Sequence, residues 1–79
     1  MKCIVKSTTG QTITIDFNVE TTVLELKKKV SDINGIPFNL FIMVYGGKEL
    51  KNDHKLIEYG VTKNSNILCV EKTVGGLII

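Results

Sequence analysis

The chain has 79 residues, a formal net charge of +2 and ten basic residues, all of them lysine. This length allows one small domain, close to the lower limit at which an apolar core is stable without disulfides or a bound metal. The chain lacks arginine and tryptophan and has only 6% aromatic residues, which argues against the arginine forks and stacking aromatics of a nucleic-acid surface. We therefore expect no nucleic-acid partner.

The N-terminal residues alternate lysine with apolar residues and contain no continuous apolar run of the length of a secretory signal or membrane span. We expect a monomer in the cytoplasm or nucleus, without a membrane partner. The β-branched segments 1–7 and 11–17 predict a hairpin with Gly10 in its loop. In the second segment Ile13, Ile15 and Phe17 alternate with polar residues, which indicates one apolar and one solvated face.

The segment Thr22 to Asn34 is predicted to be an amphipathic helix. Thr22 and Glu25 have the spacing of a capping box at its start. Glu25 and Lys29 are placed for an i,i+4 ion pair, and Gly35 is placed to end the helix in a left-handed conformation. The residues expected on the buried face are Val23, Leu26, Val30 and Ile33. A single helix cannot cover its own apolar face, so the strands must supply the surface on which it packs.

The second half of the chain predicts three further strands and one short helical turn. The segment Leu40 to Tyr45 is predicted to be a strand. Gly46-Gly47 is predicted to form a turn that leads to a short strand near Lys48 to Leu50. A helical turn is expected near Leu56 to Tyr59, and Asn66 to Glu71 reads as the last strand. The predicted order is β-β-α-β-β-β.

The two late strands are apolar on both faces, although one helix can cover only one face of a sheet. We expect Phe41, Met43, Ile67 and Cys69 to face the helix. The opposite set would then lie outward on neighbouring strands: Ile42, Val44, Leu68 and Val70. Contiguous exposed apolar residues on a small domain usually mark a protein-binding surface. The alternative is scattered surface hydrophobics without a function.

The sequence gives little support for a catalytic site or a metal-binding site. His54 is the sole histidine and lies in a polar loop, while Cys3 and Cys69 are predicted to be buried free thiols. No nucleophile–base pair and no metal-ligand spacing follow from these positions. The sequence therefore predicts a non-enzymatic protein without a metal or cofactor. The chain ends in Leu77-Ile78-Ile79 after a glycine pair; such a pair alone is more often a linker.

At constant register from Met1 to Gly76 the chain resembles the ubiquitin family. The matching pieces include Val5-Lys6, Thr9-Gly10, Thr12-Ile13-Thr14, Gly35-Ile36-Pro37, Gly47-Lys48, Leu50, Leu56, Tyr59, Ser65, Val70 and Gly75-Gly76. The resemblance implies a β-grasp fold over residues 1–72, an α+β architecture in which a mixed sheet packs on one helix, with a flexible tail at 73–79. It also implies that the hydroxyl of Tyr59 contacts the backbone of the preceding loop.

The resemblance implies that partner domains bind the outward apolar patch, which would also include Thr8. Relative to the family pattern, Thr8 stands for a leucine, Leu68 for a histidine and Ile42 for an arginine. This patch is more apolar and less cationic, so we expect partners other than the known ubiquitin receptors. The family's chain-forming lysines are matched by Lys6, Lys27, Lys29, Lys48 and Lys63; taken singly, each is also an ordinary surface lysine.

A ubiquitin-like modifier is joined to target lysines through an isopeptide bond from its terminal glycine. The resemblance therefore implies a precursor that is cleaved between Gly76 and Leu77 and conjugated through Gly76, with activating and conjugating enzymes and a processing protease as partners. The family's leucine and arginine pattern before the glycines is replaced here by Glu71-Lys72-Thr73-Val74. The alternative function is a docking domain that is never conjugated and forms the first part of a larger protein.

Overall fold

A computed structural model of the protein describes residues 1–8 and 10–71. The predicted element order is confirmed. The strands are β1 (Lys2–Ser7), β2 (Thr12–Asp16), β3 (Phe41–Tyr45), β4 (Lys48–Glu49) and β5 (Asn66–Glu71), and the helix is α1 (Val23–Asn34). Single 3₁₀ turns occupy Phe38–Leu40 and Leu56–Tyr59.

Helix α1 begins and ends at the residues that the capping signals predict. The Thr22 hydroxyl accepts from the Glu25 backbone N–H at 3.2 Å, and the Thr22 N–H donates to the Glu25 carboxylate at 2.9 Å. Gly35 has φ 77° and donates its N–H to the Ser31 carbonyl at 2.8 Å. These bonds satisfy backbone groups that a helix end leaves without partners.

The predicted pair between Glu25 and Lys29 is not formed. The Glu25 carboxylate is held at the cap by Thr22, while the Lys29 ammonium donates to the Asp16 carbonyl at 3.2 Å. The capping bonds also lower the pKa of Glu25, since they favour its charged form.

The prediction that Ile33 lies on the buried face of α1 is wrong, because Ile33 is 55% exposed. The buried helix residues are Val23, Leu26, Lys27 and Val30. At 3.6 residues per turn this stripe is centred near Val23 and Val30, and position 33 lies roughly 70° away from it. Lys27 lies closer to the centre of the stripe than Ile33 does, so helix geometry outweighs side-chain polarity here.

The strands form one mixed sheet in the order β2-β1-β5-β3-β4. The central strands β1 and β5 are parallel, while the pairs β1–β2, β3–β5 and β3–β4 are antiparallel. The two-residue turn from β3 to β4 is Gly46-Gly47, with φ 61° and 81°, a left-handed conformation that glycine adopts without strain. We call the sheet face that packs on α1 the inner face and the opposite one the outer face.

The core lies between α1 and the inner face. The four residues predicted to face the helix, Phe41, Met43, Ile67 and Cys69, are all buried. They join one cluster with Val23, Leu26 and Val30 of α1 and with Cys3, Val5, Ile15, Phe17, Leu50, Leu56 and Val61. This sheet wrapped over one helix is the β-grasp architecture. Of the expected division into a domain at 1–72 and a tail at 73–79, residues 72–79 lie outside the described part of the chain.

Candidate functional site

The outer-face patch, defined as Ile42, Val44, Leu68 and Val70, forms a rectangle on two adjacent strands. Ile42 pairs with Val70 and Val44 pairs with Leu68 across the β3–β5 ladder. Because side chains alternate between faces along a strand, burial of Met43 and Cys69 places all four on the outer face. Leu68 is 43% exposed and the other three side chains are partly exposed. The structure therefore brings together the four apolar residues that the sequence analysis placed outward.

Charged residues flank the patch on both sides. Lys6 on β1 pairs with Leu68, and Glu49 on β4 pairs with Val44. Both residues are exposed. Thr8 is also exposed and follows Ser7, the residue of β1 that pairs with Cys69. The shared row of Lys6 and Glu49 could not be predicted from the sequence, because it depends on the order of all five strands.

The lysines singled out from the sequence lie in two different environments. Lys6, Lys29, Lys48 and Lys63 are exposed, whereas Lys27 is only 6% exposed. Lys27 lies in the buried stripe of α1, and its charge lowers the pKa of the Cys69 thiol, although burial of that thiol raises the same pKa more strongly. Of this set, Lys27 is the only residue that is buried in the folded domain.

A polar cluster joins the start of α1 to the loop before β5. The His54 Nδ1 lies 2.8 Å from the Glu58 Oε1, and this hydrogen bond raises the pKa of His54 and lowers that of Glu58. The His54 carbonyl accepts from the Val23 N–H at 2.9 Å. The Tyr59 hydroxyl accepts from the Lys51 N–H at 3.0 Å. This last contact is the one that the resemblance implied for Tyr59.

Cys3 and Cys69 are both free and buried, on strands β1 and β5. Cys69 pairs with Ser7, four residues along β1 from Cys3, which separates the two cysteines by roughly 13 Å, too far for a disulfide. Burial raises the pKa of the Cys3 thiol and of the Cys69 thiol. Among the described residues no group of three His, Cys, Asp or Glu side chains could hold a metal ion.

Comparison with known proteins agrees with this geometry. The family model of the ubiquitin family matches residues 4–74. The chain belongs to the ubiquitin family. The ubiquitin-like protein NEDD8 of Dictyostelium discoideum is 32% identical over 73 residues, which cover 92% of this chain and 95% of that protein. This ubiquitin-like chain therefore matches its relative along nearly the whole length of both.

Residues 1–8 and 10–71 of this ubiquitin-like chain contain no helix long and apolar enough to cross a membrane.

The predicted conjugation residues Gly75 and Gly76, and the predicted processing bond between Gly76 and Leu77, lie outside the described residues. The last described residue, Glu71, ends β5 and pairs with Phe41 of β3.

Proposed function

We propose that this ubiquitin-like protein is a modifier that acts through protein–protein binding at the outer-face patch. It is joined to lysines of target proteins through the carboxylate of Gly76, after a protease removes Leu77 to Ile79. Its partners are ubiquitin-binding domains, activating and conjugating enzymes and the processing protease, in the cytoplasm or nucleus. It has no catalytic activity and needs no cofactor.

The observation that carries this proposal is the pairing of Ile42 with Val70 and of Val44 with Leu68 on the face away from the helix. Apolar side chains converging on a face that no element of the described chain covers are what a binding surface requires. Membership of the ubiquitin family supports the conjugation step. Burial of Lys27 favours Lys6, Lys29, Lys48 and Lys63 as the lysines on which chains of the modifier would form.

The conjugation step is tested by expressing the N-terminally tagged protein in its native cell and measuring its mass under denaturing conditions. A modifier loses the mass of Leu77-Ile78-Ile79 and forms adducts whose tryptic peptides contain a lysine linked to Gly76. The Gly76→Ala variant should lose these adducts. As a control, Val19→Ala changes an exposed residue of the folded domain and should leave the adducts in place.

If residues 77–79 are retained and no lysine adducts form, the modifier function is wrong and the non-conjugated docking domain replaces it. Binding at the patch is measured separately. A non-conjugatable form lacking Gly76 should still bind partner domains if the docking function is correct.

A further inference from the structure

One row of outer-face residues crosses the whole sheet and carries Lys6 and Glu49, while the charges of Lys2 and Asp16 lie opposite each other in another row of the same face, on β1 and β2. The strand registers place Lys6 beside Leu68, Leu68 beside Val44, and Val44 beside Glu49, with Thr12 of β2 at the far end. The row therefore reads cation, apolar, apolar, anion from β1 to β4. Strands lie about 4.8 Å apart, so the ammonium-bearing and carboxylate-bearing positions are equally far from the midline between β5 and β3.

This arrangement is self-complementary under one symmetry operation. Consider two copies whose outer faces meet, related by a two-fold axis that lies between the two sheets and runs parallel to the strands, above the midline between β5 and β3. This axis places β1 of one copy over β4 of the other. Lys6 of each copy then faces Glu49 of its partner copy, and the apolar rectangle faces itself, with Ile42 over Val70 and Val44 over Leu68. Sheets that pack face to face lie about 10 Å apart, a gap that a lysine and a glutamate side chain can bridge together.

We propose that the outer-face patch binds a second copy of this chain, in a symmetric dimer with two Lys6–Glu49 ion pairs around an apolar centre. An interface related by a two-fold axis must be self-complementary, and this row meets that requirement in both charge and apolarity. The inference rests on the proposed function only in that both use the same patch. A second copy fits this patch because its Glu49 and Lys6 carry the charges opposite to those of Lys6 and Glu49 in the first copy.

The dimer is weak and reversible. Four partly exposed side chains cover less than the ~800 Å² per partner of a standard stable interface. Within one copy, the Glu49 carboxylate lies 3.6 Å from the Lys51 ammonium, and the two side chains are 44% and 62% exposed. Such an exposed ion pair contributes little to stability and rearranges at low cost. Lys6 has no ion-pair partner among the described residues. The chain is therefore monomeric when dilute and associates as its concentration rises.

Sedimentation equilibrium of the full chain, from about 10 μM to 1 mM, tests this inference. Lys6→Glu alone and Glu49→Lys alone each turn two attractive pairs into repulsive ones, and each should weaken self-association about tenfold. The double variant restores opposite charges at both positions and should dimerise like the wild type. An equimolar mixture of the two single variants should form the heterodimer, because each variant then supplies the charge that the other lacks.

Matched controls separate this local effect from net charge and apolarity. Lys6→Glu brings the formal net charge from +2 to zero, which should strengthen association if only overall repulsion mattered. Lys63→Glu makes the same change away from the patch and should leave association no weaker than in the wild type. Leu68→Ser should abolish the dimer, while Ile57→Ser should not, although the two side chains are 43% and 41% exposed.

A wild type that stays monomeric at 1 mM overturns the inference, and so does a double variant that associates no better than the single variants. Dimerisation unaffected by either single charge reversal overturns it as well. In these cases the patch remains available to a different protein partner, so the proposed function is tested independently through the Gly76 adducts. Circular dichroism of each variant checks that the fold is intact.

Discussion

The hydroxyl of Thr22 satisfies a backbone N–H at the start of α1 that would otherwise lack a partner. Thr22→Ala should therefore lower the free energy of unfolding by about 1 kcal/mol. The measurement is urea denaturation followed by circular dichroism. Asp32→Ala is the control, since Asp32 is exposed on the same helix and alanine is a good helix former. A loss as large in Asp32→Ala as in Thr22→Ala would contradict a specific capping effect.

The pair of His54 and Glu58 makes stability depend on pH. Because the pKa of His54 is raised in the folded state, the contribution of His54 to the free energy of unfolding is complete below the ordinary value of 6.5. That contribution is lost as the pH rises through the raised value. The lowered pKa of Glu58 means that its contribution is present above the ordinary value of 4.5 and is lost as the pH falls through the lowered value. The pair should therefore stabilise the fold most between pH 4.5 and 6.5.

An NMR titration of the imidazole ring measures this coupling directly. Glu58→Gln should bring the pKa of His54 down toward its ordinary value, because the hydrogen bond to Glu58 is the largest cause of the increase. Asp53→Asn removes only a more distant charge, 3.8 Å from Nε2, and should lower the same pKa less. If Asp53→Asn has the larger effect, the assignment of the increase to Glu58 is wrong.

Helix α1 offers two apolar positions that differ mainly in burial. Val30 is fully buried and Ile33 is 55% exposed. Val30→Ala removes two buried methyl carbons from the core and should lower the free energy of unfolding by about 2 kcal/mol, whereas Ile33→Ala should change it by less than about 0.5 kcal/mol. Urea denaturation of both variants provides the measurement. Similar losses in the two variants would contradict the orientation of the helix.

The ends of α1 could be predicted from the sequence because their signals are local. Thr22 and Glu25 are three residues apart, and Gly35 follows the helix directly. The absence of the ion pair between Glu25 and Lys29 could not be predicted in the same way. The Thr22 hydroxyl donates to the Glu25 carboxylate, and the Lys29 ammonium donates to the Asp16 carbonyl instead. Spacing along the sequence therefore predicts which side-chain contacts are possible, and neighbours in the tertiary structure decide which of them form.

A period of two leaves only two choices for the faces of β3 and β5, but both strands are apolar on both faces, so alternation alone does not select one. The assumed choice, with Phe41 and Met43 inward, is confirmed by their burial. The pairing of β1 with β5 could not be predicted from the residues. The parallel pairing of β1 with β5 joins the two ends of the described chain, and no pattern in either segment specifies that partner. For this reason the outer-face patch was found from the sequence, while the row that links Lys6 to Glu49 was not.

At the scale of the whole molecule, both thiols report on global unfolding. Cys3 and Cys69 are buried in the same core, and burial raises the pKa of each. A thiol reagent should therefore modify them only when the domain opens, and both at the same rate. Mass spectrometry of the single variants Cys3→Ala and Cys69→Ala measures the two rates. A cysteine introduced at exposed Lys63 should react at once.

A large difference between the two rates would show that one edge of the sheet opens without the other. The Cys3→Ala and Cys69→Ala variants must first be compared for stability, because each substitution also removes a buried sulfur.

The parallel pairing of β1 with β5 determines when the protein can fold during its synthesis. The Ile4 N–H donates to the Ser65 carbonyl at 2.8 Å, and the Asn64 N–H donates to the Lys2 carbonyl at 2.8 Å. The sheet can therefore close only after the last strand has been synthesised, because β1 has a partner on one side alone without β5. Until β5 has been synthesised, the edges of β1 and β3 that pair with it lack hydrogen-bond partners and are open to chaperones.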